Sequence, residues 1–223
     1  MSAVVCLHGA ALASLRWGPF DEALWPVLPG HLDAPRTTPS VAAYADAILP
    51  GLPDRVALAG HSLGGMVALV LAARLRERCR ALILLDTPLS LPRWLLPRAG
   101  TRTVPVLVRV PGPPILARIV AHRTENREMR PAVVASISAT RPAGLSDALI
   151  ACTRFDGRPL LNRLTAPVLC LLGRRSLLTG RRETEAFGRI GAETRTFDTG
   201  HMLPFDAPDE VNPLMRAFLE SHP

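Results

Sequence analysis

Short apolar runs, each closed by small or turn-forming residues, recur along the chain. Residues 4–7 (VVCL) stop at His8-Gly9, 55–59 (RVALA) at Gly60-His61, 81–85 (ALILL) at Asp86-Thr87-Pro88, and 168–172 (VLCLL) at Gly173. Short runs of this kind, bounded by turn residues, are the pattern of strands buried on both faces, as in a parallel sheet. A more polar strand is predicted over residues 193–197, leading into Asp198-Thr199-Gly200-His201. Another is predicted over residues 24–28, at the start of a Pro- and Gly-rich loop that runs from Trp25 to Pro39. Between strands the period becomes helical. Val41, Tyr44, Ala45 and Ile48 recur behind Ser40, a good N-cap, and predict a helix over 41–49 that Pro50-Gly51 stops. A long apolar helix is predicted over 66–79, with Arg74, Arg76 and Arg78 at the end where the helix dipole favours cations. A last helix covers 211–219. Strands alternating with helices predict an α/β fold, a mostly parallel sheet of about six strands with helices on both faces.

The alternation stops between Pro88 and Pro167. Prolines at 92, 97, 105, 111, 113 and 114 interrupt this stretch, and amphipathic pieces fall near 115–122 and 131–139. It reads as a mainly helical insertion over the edge of the sheet. The predicted organisation is a core made of residues 1–88 and 165–223, with residues 89–164 inserted. A chain of 223 residues suits one core with such an addition.

Composition narrows the class. Nearly half the residues are hydrophobic, enough for a substantial core. No apolar run approaches the ~20 residues of a membrane-spanning helix. The start of the chain lacks a charged segment followed by a long apolar one, so a cytoplasmic location is expected. The cysteines at 6, 79, 152 and 170 are scattered and read as buried thiols. No metal or cofactor signature is present. Every basic residue is arginine, and the excess is local: residues 93–189 carry 17 arginines against 6 acids, whereas residues 1–92 balance. Such a surface attracts anionic substrates or an acidic partner. With one tyrosine and no RNA-binding motif, nucleic acid is not the expected partner.

The chemistry concentrates in Gly60-His61-Ser62-Leu63-Gly64-Gly65, between a buried strand and an apolar helix. That is the setting a G-x-S-x-G nucleophile turn requires. The glycines relieve crowding in a sharp turn that exposes the Ser62 hydroxyl at the carboxyl end of the sheet. The helix N-terminus aims unpaired N–H groups at the same place, which suits an oxyanion. A serine needs a base, and His201, after the last strand, stands in the expected chain order. Of the other histidines, His8, His31 and His61 read as loop-shaping residues, while His122 and His222 have no supporting context. The N–H of Leu63 and that of Ala10, following His8-Gly9, are the predicted oxyanion donors. Ala11, Leu12 and Met202 are the predicted pocket residues.

These motifs resemble the α/β-hydrolase superfamily, in particular its short esterase-like members carrying GHSLGG. The resemblance spans residues 3–88 and 165–219 and places the insertion where that family has its cap. It implies no cofactor. The family's N-terminal antiparallel hairpin is expected to be absent, because the chain begins at the strand before His8-Gly9. The family usually carries its triad acid just past the strand VLCLLG, but here Ser176 occupies that loop. Some members, certain haloalkane dehalogenases among them, carry the acid at the end of the preceding strand, where this chain has Asp86. Asp198, Glu183 and Glu185 are weaker candidates. A serine at the turn argues against dehalogenase and epoxide hydrolase chemistry. The expected function is hydrolysis of a small-molecule carboxylic ester through an acyl-enzyme. The alternatives are a thioesterase or acyltransferase drawing an acidic carrier protein or CoA ester to the Arg-rich cap, and a ligand-binding protein without efficient turnover. Lyase or isomerase chemistry on the same residues also stays open.

Overall fold

The computed structural model describes residues 3–91, 100–110 and 112–223; Pro92, Pro97 and Pro111 of the interrupted stretch lie outside them. Five strands pair in chain order, each parallel to its neighbour: β1 (Ala3–Leu7), β2 (Val56–His61), β3 (Cys79–Leu85), β4 (Val168–Gly173) and β5 (Glu193–Phe197). Leu7 pairs with Gly60, His61 with Leu85 and Gly173 with Phe197, so the carboxyl ends align along one rim. Ligand sites in open parallel sheets form outside that rim.

The sheet has five strands where about six were predicted. The segment expected as a strand over 24–28 contributes only one parallel bridge, Leu24 to Val5. Leu24 donates its N–H to Val4 O at 2.8 Å and accepts from Cys6 N at 2.8 Å. The next rung would need an N–H at position 26, and Pro26 has none. The N–H of Leu28 is drawn off to His8 Nε2 at 3.0 Å.

Side chains alternate between two apolar layers, as a period of two demands. Val56, Leu58, Leu82, Leu84 and Cys170 face one layer; Ala57, Ala59, Ile83, Leu169 and Leu171 face the other. The first layer is covered by α1 (Val41–Ile48) and α2 (Leu63–Leu75). In α1 the predicted cap forms, Ser40 Oγ accepting from Ala43 N at 3.1 Å, and the four predicted apolar positions are the buried ones. Helix α2 starts at Leu63, three residues before the predicted start. Gly64 and Gly65 do not break it. They are glycine because the neighbouring backbone and Thr87 press against them: a Cβ on Gly65 would lie 1.8 Å from Thr87 Oγ1.

Between β3 and β4 lie α3 (Val104–Arg109), α4 (Pro113–His122), α5 (Arg130–Ala139) and α6 (Pro142–Arg154). After β4 come α7 (Arg181–Arg189), α8 (Leu203–Asp206) and α9 (Pro208–Glu220). Helix α7 packs on the first layer through Phe187, and α9 covers the second through Val211, Met215 and Phe218. The sequence pattern did not announce α7, whose nine residues bury only Glu183 and Phe187. The helices between β3 and β4 are fastened to the rest of the chain by polar contacts. Arg36 meets Asp147 at 2.6 Å, and Asp206 accepts from the N–H groups of Glu125 and Asn126 at 2.9 and 3.0 Å.

Candidate active site

The chain makes its sharpest turn where β2 passes into α2. Ser62 sits at φ 54°, ψ −118°, in the positive-φ region that ordinary residues avoid. Such strain costs of order 1–3 kcal/mol and persists only when its surroundings impose it. Here Ser62 N donates to Leu85 O at 3.1 Å, and Ser62 O accepts from Met66 N at 3.0 Å. The turn can pack this tightly because residue 64 has no side chain: a Cβ there would stand 2.1 Å from Leu7 O. The result is a half-buried Ser62 at the head of a helix, with its hydroxyl on the carboxyl rim.

His201, in the loop after β5, is brought to that hydroxyl, its Nε2 2.9 Å from Ser62 Oγ. Its Nδ1 lies 2.5 Å from Asp86 Oδ2. Asp86 ends β3 and is fully buried at φ 39°. Four donors surround its carboxylate. Oδ1 accepts from Gly173 N at 2.8 Å and Thr179 Oγ1 at 2.6 Å; Oδ2 accepts from Ser176 Oγ at 2.6 Å and from His201. Burial pushes its pKa up. The hydrogen bond and charge of His201, with the Ser176 and Thr179 hydroxyls, outweigh burial and hold the carboxyl below its usual range. The carboxylate fixes the imidazole with its proton on Nδ1, leaving Nε2 to accept from serine.

The other acidic candidates do not meet His201. Asp198 forms an exposed pair with Arg175 at 2.5 Å, and Glu185 pairs with Arg181. Glu183 is buried, but it accepts from Gly180 N and Leu89 N. The donors Ser176 and Thr179 were not identified from sequence as parts of the site. Their signal was there to find: two hydroxyl residues three apart in the loop where an acid is missing.

Three histidines tie the surrounding loops. His61 Nε2 donates to His201 O at 2.9 Å, and their rings lie 5.1 Å apart. His8 Nδ1 donates to Gly9 O at 2.9 Å, and His31 Nε2 accepts from Ala11 N at 3.0 Å. Burial, then the charge of a neighbouring histidine, pushes both His8 and His61 down to about 3, and burial lowers His31. His8 and His31 are neutral as their bonds require, since the Nε2 of each accepts a backbone N–H. Ala11, at φ 60°, also accepts from Ser136 Oγ of α5 at 2.8 Å. The loop is thus pinned at both the N–H and the C=O of Ala11, while among the described residues no acceptor takes the N–H of Ala10 or Leu63.

Ser62 and His201 open onto a cavity of about 420 Å³. The predicted pocket residues Ala11, Leu12 and Met202 line it, with Ala10, Met66 and Leu178. Helices α3 to α6 form the opposite wall through Val104, Val108, Leu116, Ile137, Leu145 and Leu149. Among the described residues no Asp, Glu or Arg lines it, so the space suits an aliphatic chain. Buried Cys152 also faces it, its thiol pushed up to about 12 by burial. Among the described residues no cluster of metal-binding side chains occurs, and no helix is long and apolar enough to cross a membrane.

A strained serine at a strand-to-helix turn, a histidine after the last strand and a buried carboxylate behind it recur in one large group of enzymes. The chain belongs to the alpha/beta hydrolase family, whose profile matches residues 4–214. Among curated relatives, the pimeloyl-[acyl-carrier protein] methyl ester esterase of Aromatoleum aromaticum is 31% identical over 195 residues, spanning 76% of this chain and 78% of the relative. The protein of the same name from Neisseria meningitidis serogroup B is 32% identical over 182 residues, 75% of this chain and 70% of the relative. Among solved structures, a thermophilic esterase from Thermogutta terrifontis superposes with a TM-score of 0.80 at 24% identity, covering 100% of this chain and 91% of that one. An enol-lactonase from Burkholderia xenovorans gives 0.82 at 20% identity, over 99% and 92% of the two chains. These last two likenesses are of fold.

Proposed function

We propose that this protein cleaves a short-alcohol ester at the end of an aliphatic acyl chain borne by an acyl carrier protein, with Ser62, His201 and Asp86 as its triad. Carboxylic ester hydrolysis is the activity in the names of its curated relatives, and the chain is a hydrolase of that kind. The observation that carries the reading is the position of the Ser62–His201 pair in an aliphatic cavity of about 420 Å³. Residues 89–164 act as the cap that closes this cavity.

In the reaction Ser62 Oγ attacks the ester carbonyl while His201 Nε2 takes the hydroxyl proton. The oxyanion of the tetrahedral intermediate accepts from the N–H groups of Ala10 and Leu63. Collapse expels the alcohol, which receives the proton from His201. Water, activated by the same histidine, then hydrolyses the acyl-enzyme and regenerates Ser62. Asp86 keeps the ring in the productive tautomer and stabilises the imidazolium that forms. Ala11, Leu12 and Met202 make up the wall against the acyl chain.

The carrier is drawn from the relatives' names and from charge. Arg102, Arg109, Arg118 and Arg123 of the cap are exposed, and none pairs with a carboxylate among the described residues. A cationic face of this kind accelerates encounter with an acidic carrier and loses its effect as salt rises. The test compares a carrier-linked methyl ester with the free methyl ester at low and high ionic strength. The carrier-linked substrate should turn over faster, with a lead that shrinks in salt, and Ser62→Ala should abolish both reactions. Equal, salt-independent rates would remove the carrier and leave the esterase. Release of the carrier thiol in place of the alcohol would make the enzyme a thioesterase.

A further inference from the structure

The acid of this site has an unusual bed. Its carboxylate leaves the end of β3, yet three of its four donors come from the last residue of β4 and the loop that follows it. Ser176 Oγ accepts from Leu178 N at 3.2 Å and Thr179 N at 3.4 Å. Those two bonds occupy the oxygen's lone pairs and leave its proton one direction, toward Asp86 Oδ2. That oxygen is also the one held by His201 Nδ1. On the other side, Thr179 and Gly173 share Oδ1 and keep the carboxyl plane from turning.

We propose that Ser176 and Thr179 are positioning residues for the acid. This rests on Asp86 being the triad acid. Donors on a carboxylate lower its basicity. The two hydroxyls therefore limit how strongly Asp86 holds the imidazolium proton.

The ionisable surroundings are simple. His61 faces the pair from β2 and is neutral, its pKa pushed down to about 3 by burial. Cys170 faces it from β4 and stays a thiol, because burial raises it well above its usual value. Glu183 at the start of α7 is raised by burial and turns to Gly180 and Leu89. Arg175, Glu125 and Asp198 pair with one another on the exposed side of the same loops.

The experiment is a pH profile of kcat/KM on a p-nitrophenyl ester, with each variant's fold verified by thermal unfolding. Ser176→Ala and Thr179→Val should each move the acidic limb up by about half a unit, part of what a charge-assisted hydrogen bond contributes. Each should lower kcat and leave KM unchanged. Thr179→Ser retains the hydroxyl and should restore the wild-type profile. Asp86→Asn should lose most activity. An unmoved acidic limb in both hydroxyl deletions overturns the positioning role. Wild-type activity in Asp86→Asn itself would instead remove Asp86 as the acid, and this proposal with it.

Discussion

Replacing Asp86 by asparagine is the sharpest test of the site, because the change is nearly isosteric and its cost follows from the donor count. The wild-type carboxylate accepts from four groups: Gly173 N–H, the Thr179 and Ser176 hydroxyls, and His201 Nδ1–H. An amide has one accepting oxygen and one donating nitrogen. The N–H of Gly173 cannot reverse its direction, so the amide oxygen must stay on the Oδ1 side. The NH2 group then faces Ser176 and His201. Ser176 Oγ can accept only by giving up one of the N–H groups of Leu178 and Thr179, and the imidazole can accept at Nδ1 only by moving its proton to Nε2. That proton then points at Ser62 Oγ, 2.9 Å away, and the base is lost. A wrong tautomer of this kind costs about 10⁴ in kcat, or roughly 5.4 kcal/mol of transition-state stabilisation. KM should change little, since no cavity-lining group is altered. Steady-state hydrolysis of p-nitrophenyl esters measures both constants, and thermal unfolding shows that the variant is folded. A folded Asp86→Asn protein within about ten-fold of wild-type kcat would refute the reasoning.

Gly64→Ala should destabilise by about 3 kcal/mol or more, because the new Cβ would sit 2.1 Å from Leu7 O. At this chain length that lowers Tm by about 6–12 °C, and an unchanged Tm would contradict the packing of the turn. Wild-type kcat/KM should rise about four-fold per added acyl methylene until the cavity is full. Leu149→Trp should halt the rise at a shorter chain, since Leu149 lines the cavity; superimposable chain-length profiles would move the acyl group elsewhere. Stability should fall in acid on account of buried histidines. His8 and His61 have folded pKa values pushed down to about 3. The unfolded chain therefore binds more protons below about pH 6.5, and stability is lost as pH falls from there toward 3. The loss is on the order of 3 kcal/mol per histidine at about pH 4. Urea unfolding between about pH 7 and pH 4 should show this decline and a shallower one for His61→Gln.

The local elements were largely legible in the sequence because they depend on residues close together in the chain. Four buried strands announced themselves as short apolar runs, the Ser40 cap and its four-position helix face appeared as read, and GHSLGG located the turn that carries Ser62. Where tertiary contacts decide, the local reading stopped short. The 24–28 segment has strand-like residues, but Pro26 breaks the ladder and His8 takes the N–H of Leu28. Gly64 and Gly65 look like a pause before a helix, yet they are its first turn, small because β1 and Thr87 lie against them. Helix α7 has too narrow an apolar face to register as a period.

The same division runs through the site. Sequence by itself determined the G-x-S-x-G turn around Ser62 and the place of His201 after the last strand, because motif and chain order are properties of the linear chain. For the acid it offered Asp86 ahead of Asp198, Glu183 and Glu185. Only the tertiary structure brought Asp86 to His201, across 115 positions of sequence, and gathered Gly173, Ser176 and Thr179 around its carboxylate. A buried charge is stable only where donors converge on it in space, and convergence across two loops has no signature in the order of residues along one.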